Sequence, residues 1–103
     1  SVKFYCIADE DTVRGFRLAG IEAYVAADAE EAISAISIAI SKPDLGIIII
    51  TEHVASWIRS QIDTFRINRD RPLIVEIPGP EGPLSGRKSL REFVQEAVGV
   101  SVG

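Results

Sequence analysis

Three consecutive carboxylates, Asp9, Glu10 and Asp11, directly follow a β-rich apolar run, and a second polar pair, Thr51 and Glu52, follows the isoleucines at 47–50. Crowded carboxylates at the end of a strand are oxygen donors suited to a divalent ion. In open α/β sheets such donors stand in the usual ligand crevice, outside the carboxyl ends of the strands at the topological switch point. Phosphoryl-accepting chemistry there also needs an aspartate closing the third strand as acceptor, with a hydroxyl and a lysine on later strands. This chain closes strand three on Thr51-Glu52 and strand four on Ile77-Pro78. The acceptor is missing, so the acid cluster reads as helix-capping carboxylates favoured by the helix dipole.

The other reactive residue types are isolated. Gly15 falls inside a helical stretch and Gly20 ends it, and neither belongs to a phosphate-binding glycine pattern. His53, the sole histidine, sits at a helix start as a surface residue, and no catalytic triad can be assembled around it. Cys6 lies in an apolar context with no cation to lower its pKa, which fits a reduced, buried thiol. Trp57 stands at the margin of an apolar helix face, where core packing is favoured over service as a partner anchor. Arg14 and Arg17 share one face of the first helix and suit a protein interface or a solvated surface equally. No cofactor or metal site is expected.

A chain of 103 residues forms one domain and buries roughly two-thirds of its unfolded surface without disulfides. The formal charge of −4 and the lack of a basic stripe argue against nucleic acid as a partner. No apolar run approaches the ~20 residues of a membrane span, and no leader pattern precedes the first strand. A membrane link is therefore expected only through another protein.

The elements that position these residues follow in order. Residues 3–8 form a strand, and Asp11 or Thr12 caps a short helix reaching Ala19, with Val13 and Phe16 inward and Gly20 as its stop. Residues 21–26 are polar enough for an edge strand. Asp28 caps a helix running to about Ser41, on which Glu30, Ser34, Ser37 and Ser41 mark a wet stripe. The run at 45–52 has no polar alternation, so residues 47–50 read as a central strand covered on both faces. One helix is expected from Glu52 to about Ile67, with Val54, Ile58, Ile62 and Phe65 inward. Residues 73–77 make the last strand. Prolines and glycines then fill a loop at 78–88, separating the α/β domain at 1–77 from a C-terminal amphipathic helix and tail at 89–103. A capping box at Ser89 and Glu92 starts that helix, and Leu90, Phe93, Val94, Ala97 and Val98 form its apolar stripe. The stripe serves either as core or as a detachable partner-binding face.

This pattern gives an α/β fold, a four-stranded parallel sheet of order 2-1-3-4 wound on both sides, as in receiver and flavodoxin domains. The first helix covers one face while the second and third share the other. The thinly covered face must then be closed by the last helix or by a partner.

At the motif level the chain resembles a known family, the F subunits of bacterial and archaeal V-type (A-type) rotary ATPases. The residues that carry this are Asp9 to Asp11 with Thr12-Val13, the hexapeptide Gly15-Phe16-Arg17-Leu18-Ala19-Gly20, the strand ending Ile48-Ile49-Ile50-Thr51-Glu52, Val75-Glu76-Ile77-Pro78 and Ala97-Val98-Gly99-Val100. The resemblance implies a non-catalytic central-stalk rotor subunit in ATP-coupled proton or sodium ion transport. It would grip a coiled-coil stalk subunit, reach the catalytic ring through a mobile C-terminal segment that tunes ATPase activity, and lie in the cytoplasm at the membrane periphery. Arg14, Phe16, Arg17, Leu90, Phe93, Val94, Ala97 and Val98 are the expected interface residues. The competing expectation is a degenerate receiver-like signalling domain without its phosphoacceptor aspartate.

Overall fold

The computed structural model describes residues 3–83. Along them strands and helices alternate: β1 (Lys3–Ala8), α1 (Glu10–Leu18), β2 (Glu22–Val25), α2 (Ala29–Ile40), β3 (Leu45–Thr51), α3 (Glu52–Trp57), α4 (Arg59–Asn68) and β4 (Leu73–Ile77). The expected helix at 89–98, with Leu90, Phe93, Val94, Ala97 and Val98, lies outside the described residues.

The strands form one parallel sheet of order β2-β1-β3-β4. Side chains alternate between its faces, so β1 feeds two separate cores. Tyr5 and Ile7 join Ile48, Ile50 and Ile74 beneath α2, α3 and α4, where Ala32, Ala35, Ala39, Val54, Ile58 and Ile62 complete the larger core. Cys6 and Ala8 point the other way, to Val13 of α1 and Ala23 of β2, with Phe16, Ile21 and Ile49 packed alongside. The unequal coverage expected from the crossover pattern is therefore present among the described residues.

Four local expectations are corrected. The N-cap of α1 is Asp9, not Asp11 or Thr12, because Asp9 is the single residue between β1 and α1 and its carboxylate accepts from the Thr12 amide at 3.0 Å and the Thr12 hydroxyl at 2.8 Å. The expected single helix after Glu52 is two, broken at Ile58, whose backbone leaves the helical region at φ −131° and ψ 33°. Just before the break Ser56 Oγ donates to the His53 carbonyl at 2.6 Å, the kind of local side-chain bond that competes with the helical ladder. Residues 47–50 are not uniformly core: Ile48 and Ile50 are fully buried, whereas Ile47 and Ile49, on the α1 side, are half-buried. Trp57 sits at the surface rather than in the core, edge-on to His53 with ring centroids 5.1 Å apart.

The Pro/Gly loop has local order at its start. Gly82 donates its amide to the Gly79 carbonyl at 3.0 Å, and its φ of +90° is a conformation that glycine adopts without strain. No helix among the described residues is long and apolar enough to cross a membrane.

Candidate functional site

The carboxyl ends of β1 and β3 open into a cavity of about 450 Å³, lined by Asp9, Glu10 and Asp11 on one side and by Thr51, His53 and Trp57 on the other. The loop at 79–82, with Glu81, forms its remaining wall. Sequence placed the acid cluster at this switch point, and the structure brings it to the cavity. The contribution of the loop and of Trp57 was not visible in the sequence, because neither lies on the strands that define the crevice.

Three of the polar residues that line this cavity, Asp9, Asp11 and Thr51, are engaged within the chain. Burial alone would raise the pKa of Asp9, but hydrogen bonds from the Thr12 amide and hydroxyl outweigh it and hold the carboxyl below its usual range. Thr51 is buried and N-caps α3, its Oγ1 accepting from the Val54 amide at 3.3 Å. Glu52, in the first turn of α3, is buried as well. Asp11 lies 3.7 Å from Arg14 across one helical turn, both side chains exposed. Among the described residues no group of three or more histidine, cysteine, aspartate or glutamate side chains is arranged to hold a metal ion. Cys6, beneath this end of the sheet, is pushed up to about 11 by burial and then by the neighbouring Asp9 charge, which makes it a poor nucleophile.

The remaining expected interface residues of the described part separate by environment. Arg14 projects into solvent, Phe16 packs against the smaller core, and Arg17 turns back onto β2, donating from Nε at 3.0 Å and Nη2 at 2.7 Å to the Ala23 carbonyl. Arg17 is thus committed within the chain.

The α1 side of the sheet carries a different feature. Phe4, Leu73 and Val75 are 43%, 59% and 38% exposed. The register pairs Phe4 with Ile47, Ile47 with Leu73 and Ile49 with Val75, so these side chains share one face. α1 packs chiefly on β1 and β2, with Ile49 at the margin of that core. A contiguous apolar strip of this kind marks a surface that another element covers.

Opposite it, α4 is clamped to β4. Arg59 makes a two-pronged contact with Glu76 at 2.7 and 2.6 Å, Arg66 adds a third bond at 3.1 Å, and Arg66 Nη2 reaches the Ile74 carbonyl at 2.8 Å. Hydrogen bonding from Arg59, followed by the Arg59 and Arg66 charges, outweighs burial and holds the Glu76 carboxyl below its ordinary value.

Comparison with known proteins agrees with this architecture. Residues 5–94 match the family described as ATP synthase (F/14-kDa) subunit. The F subunit of the A-type ATP synthase of Thermococcus kodakarensis is 37% identical, the match covering 98% of this chain and 98% of the relative. Its counterpart in the V-type ATP synthase of Thermus thermophilus is 30% identical over 93% of this chain and 95% of its own length. The crystal structure of the V-type F subunit of Archaeoglobus fulgidus superposes with a TM-score of 0.59 at 26% identity, covering 75% of this chain and 98% of that one. These matches make the chain a member of the family of ATP synthase (F/14-kDa) subunits.

Proposed function

We propose that this chain is a non-catalytic rotor subunit of the central stalk of an A/V-type ATP synthase, serving ATP-coupled proton or sodium ion transport. It binds the coiled-coil stalk subunit, and its C-terminal segment regulates ATP hydrolysis by leaving the sheet domain to meet the catalytic ring. The observation that carries this reading is the apolar strip of Phe4, Ile47, Leu73 and Val75 on the α1 side of the sheet, partly or largely exposed. The stripe of Leu90, Phe93, Val94, Ala97 and Val98 has the apolar spacing to cover it, and the 78–88 loop is the tether.

Co-purification of the full chain with its cognate coiled-coil subunit tests the assignment. A stoichiometric complex is expected, and failure to form one with a folded coiled coil overturns it. For the C-terminal segment, spin labels near Gln95 and on the sheet domain should give a distance distribution that changes when the partner is added. A single short distance, unchanged by the partner, excludes the switch. Polar replacements of Phe93 and Val98 should weaken the effect on ATP hydrolysis more than they weaken folding.

The acid-lined cavity favours one second reading, a receiver-like binding domain without its phosphoacceptor aspartate. Magnesium titration distinguishes the two, since saturable ion binding at the acid-lined cavity would support the receiver-like reading.

A further inference from the structure

We infer that the outer face of α2, with the groove between α2 and β2, is the surface on which a helix of the coiled-coil partner docks. The inference rests on the stalk-subunit reading and assigns the contact to one face of the domain.

The residues of α2 beyond its first turn, 32–40, and its C-cap Ser41 carry no charge. Ala32, Ala35 and Ala39 are spent on the larger core. The opposite face consists of Ile33 and Ile38, 40% and 45% exposed, flanking a line of exposed Ser34, Ser37 and Ser41. A helix facing water ordinarily carries charge on that side. The other long helices here do: α1 presents Asp11 and Arg14, and α4 presents Arg59, Asp63 and Arg66. Loss of charge with retention of large aliphatics is the compositional mark of an interface core. Serines between two isoleucine ridges leave a furrow, the shape into which the ridge of a second helix packs.

The furrow continues into a groove of about 470 Å³ between α2 and β2, walled by Tyr24, Val25 and Ile38. Its far end holds the carboxylates Asp28, Glu30 and Glu31, and among the described residues no lysine or arginine lines it. The chemistry of the occupant follows from this charge pattern. It is a helix that sets an aliphatic side chain between Val25 and Ile38 and places a lysine or arginine over the acidic end. Contact through side chains also suits the edge of the sheet here. The amide of Ala26 pairs with β1, so the carbonyl of Ala23 points outward by alternation, and Arg17 already occupies it.

The test uses the full chain and the cognate coiled-coil subunit, with affinity measured by calorimetry. Ile38→Lys should weaken binding at least 100-fold and Glu30→Lys at least tenfold at low salt, with the Glu30→Lys loss shrinking at high salt. Ser60→Arg on the outer face of α4 should leave binding within twofold. Far-ultraviolet circular dichroism should match the parent for each variant, since all three positions are exposed, and the thermal midpoint should fall by no more than a few degrees for Glu30→Lys, which loses a favourable first-turn charge. If the parent binds and both α2 variants bind as tightly, the docking face is elsewhere and the inference fails while the stalk reading stands. If the parent does not bind the coiled coil, the stalk reading fails and the inference with it. If sedimentation shows a dimer of this chain that Ile38→Lys dissolves, the occupant is a second copy and the inference is overturned.

Discussion

Arg17 on α1 grips the carbonyl of Ala23 on β2 with two donors, at 3.0 and 2.7 Å, and thereby closes an edge strand's outward acceptor. On the opposite edge Arg66 holds the Ile74 carbonyl of β4 with one donor, Nη2 at 2.8 Å, while its Nη1 reaches Glu76. Both borders of the sheet are blunted by an arginine from the helix beside them, one of the means by which sheets avoid pairing with foreign strands.

Replacing Arg17 with alanine should lower stability by about 1 kcal/mol, below the usual worth of a hydrogen bond to a charged group because the side chain is exposed. Arg17→Lys should recover only part of this, because an ammonium cannot reproduce the planar two-donor contact. Urea denaturation midpoints of the three proteins decide the matter.

Asp9→Ala removes the side-chain cap of α1 and should cost about 1 kcal/mol. Asp11→Ala, which leaves the cap intact, should cost less than half as much. Equal effects would mean that the cap contributes nothing particular.

The clamp on Glu76 should appear in the pH dependence of stability. Its folded pKa lies below the ordinary glutamate value of 4.5. The unfolded chain therefore binds the proton first, and the contribution is complete above that ordinary value and lost as pH falls through the folded one. Glu76→Gln should be less stable than the parent by about 1–2 kcal/mol at pH 7, discounted for the exposure of Arg59 and Arg66. The gap should close as the solution is taken toward pH 3. A constant gap over that range would exclude the clamp as its source.

Truncation should separate the two sides of the sheet. Ile62→Ala, in the larger core, should cost about 2–5 kcal/mol. Leu73→Ala, on the open strip, should cost under about 1 kcal/mol in the absence of partners. Cys6 offers a probe that needs no mutation: a buried thiol pushed up to about 11 should react with an aromatic disulfide at pH 8 only through unfolding. Its rate should then rise with urea in step with the unfolding equilibrium.

How far the sequence foretold this structure varied with the kind of signal. The strand at 3–8, the Asp28 cap of α2 and the sheet order were legible, because apolar run, cap residue and crossover handedness each point one way. The break at Ile58 was not, since Val54, Ile58 and Ile62 keep a spacing of four whether or not the helix is continuous. Three adjacent carboxylates can each cap a helix, and only the contact with Thr12 selects Asp9. An unbroken isoleucine run likewise conceals which of its faces goes uncovered. The serines of α2 read as solvated because polarity alone hides the absence of charge beside them. The role of Arg17 depends on which β2 carbonyls point outward, which is settled by pairing and not by local sequence.

The seating of α2 on the sheet has a mechanical consequence. Three alanines, Ala32, Ala35 and Ala39, form its inner line over Tyr5, Ile7, Ile48 and Ile50. Side chains this short have no rotamers to yield and keep the helix axis close to the strands, in an interior of low compressibility. A load applied to the outside of α2 therefore passes with little give into β1 and β3, the paired strands at the centre of the sheet. Enlarging Ala35 to leucine would lift the helix and put a compliant layer in that path.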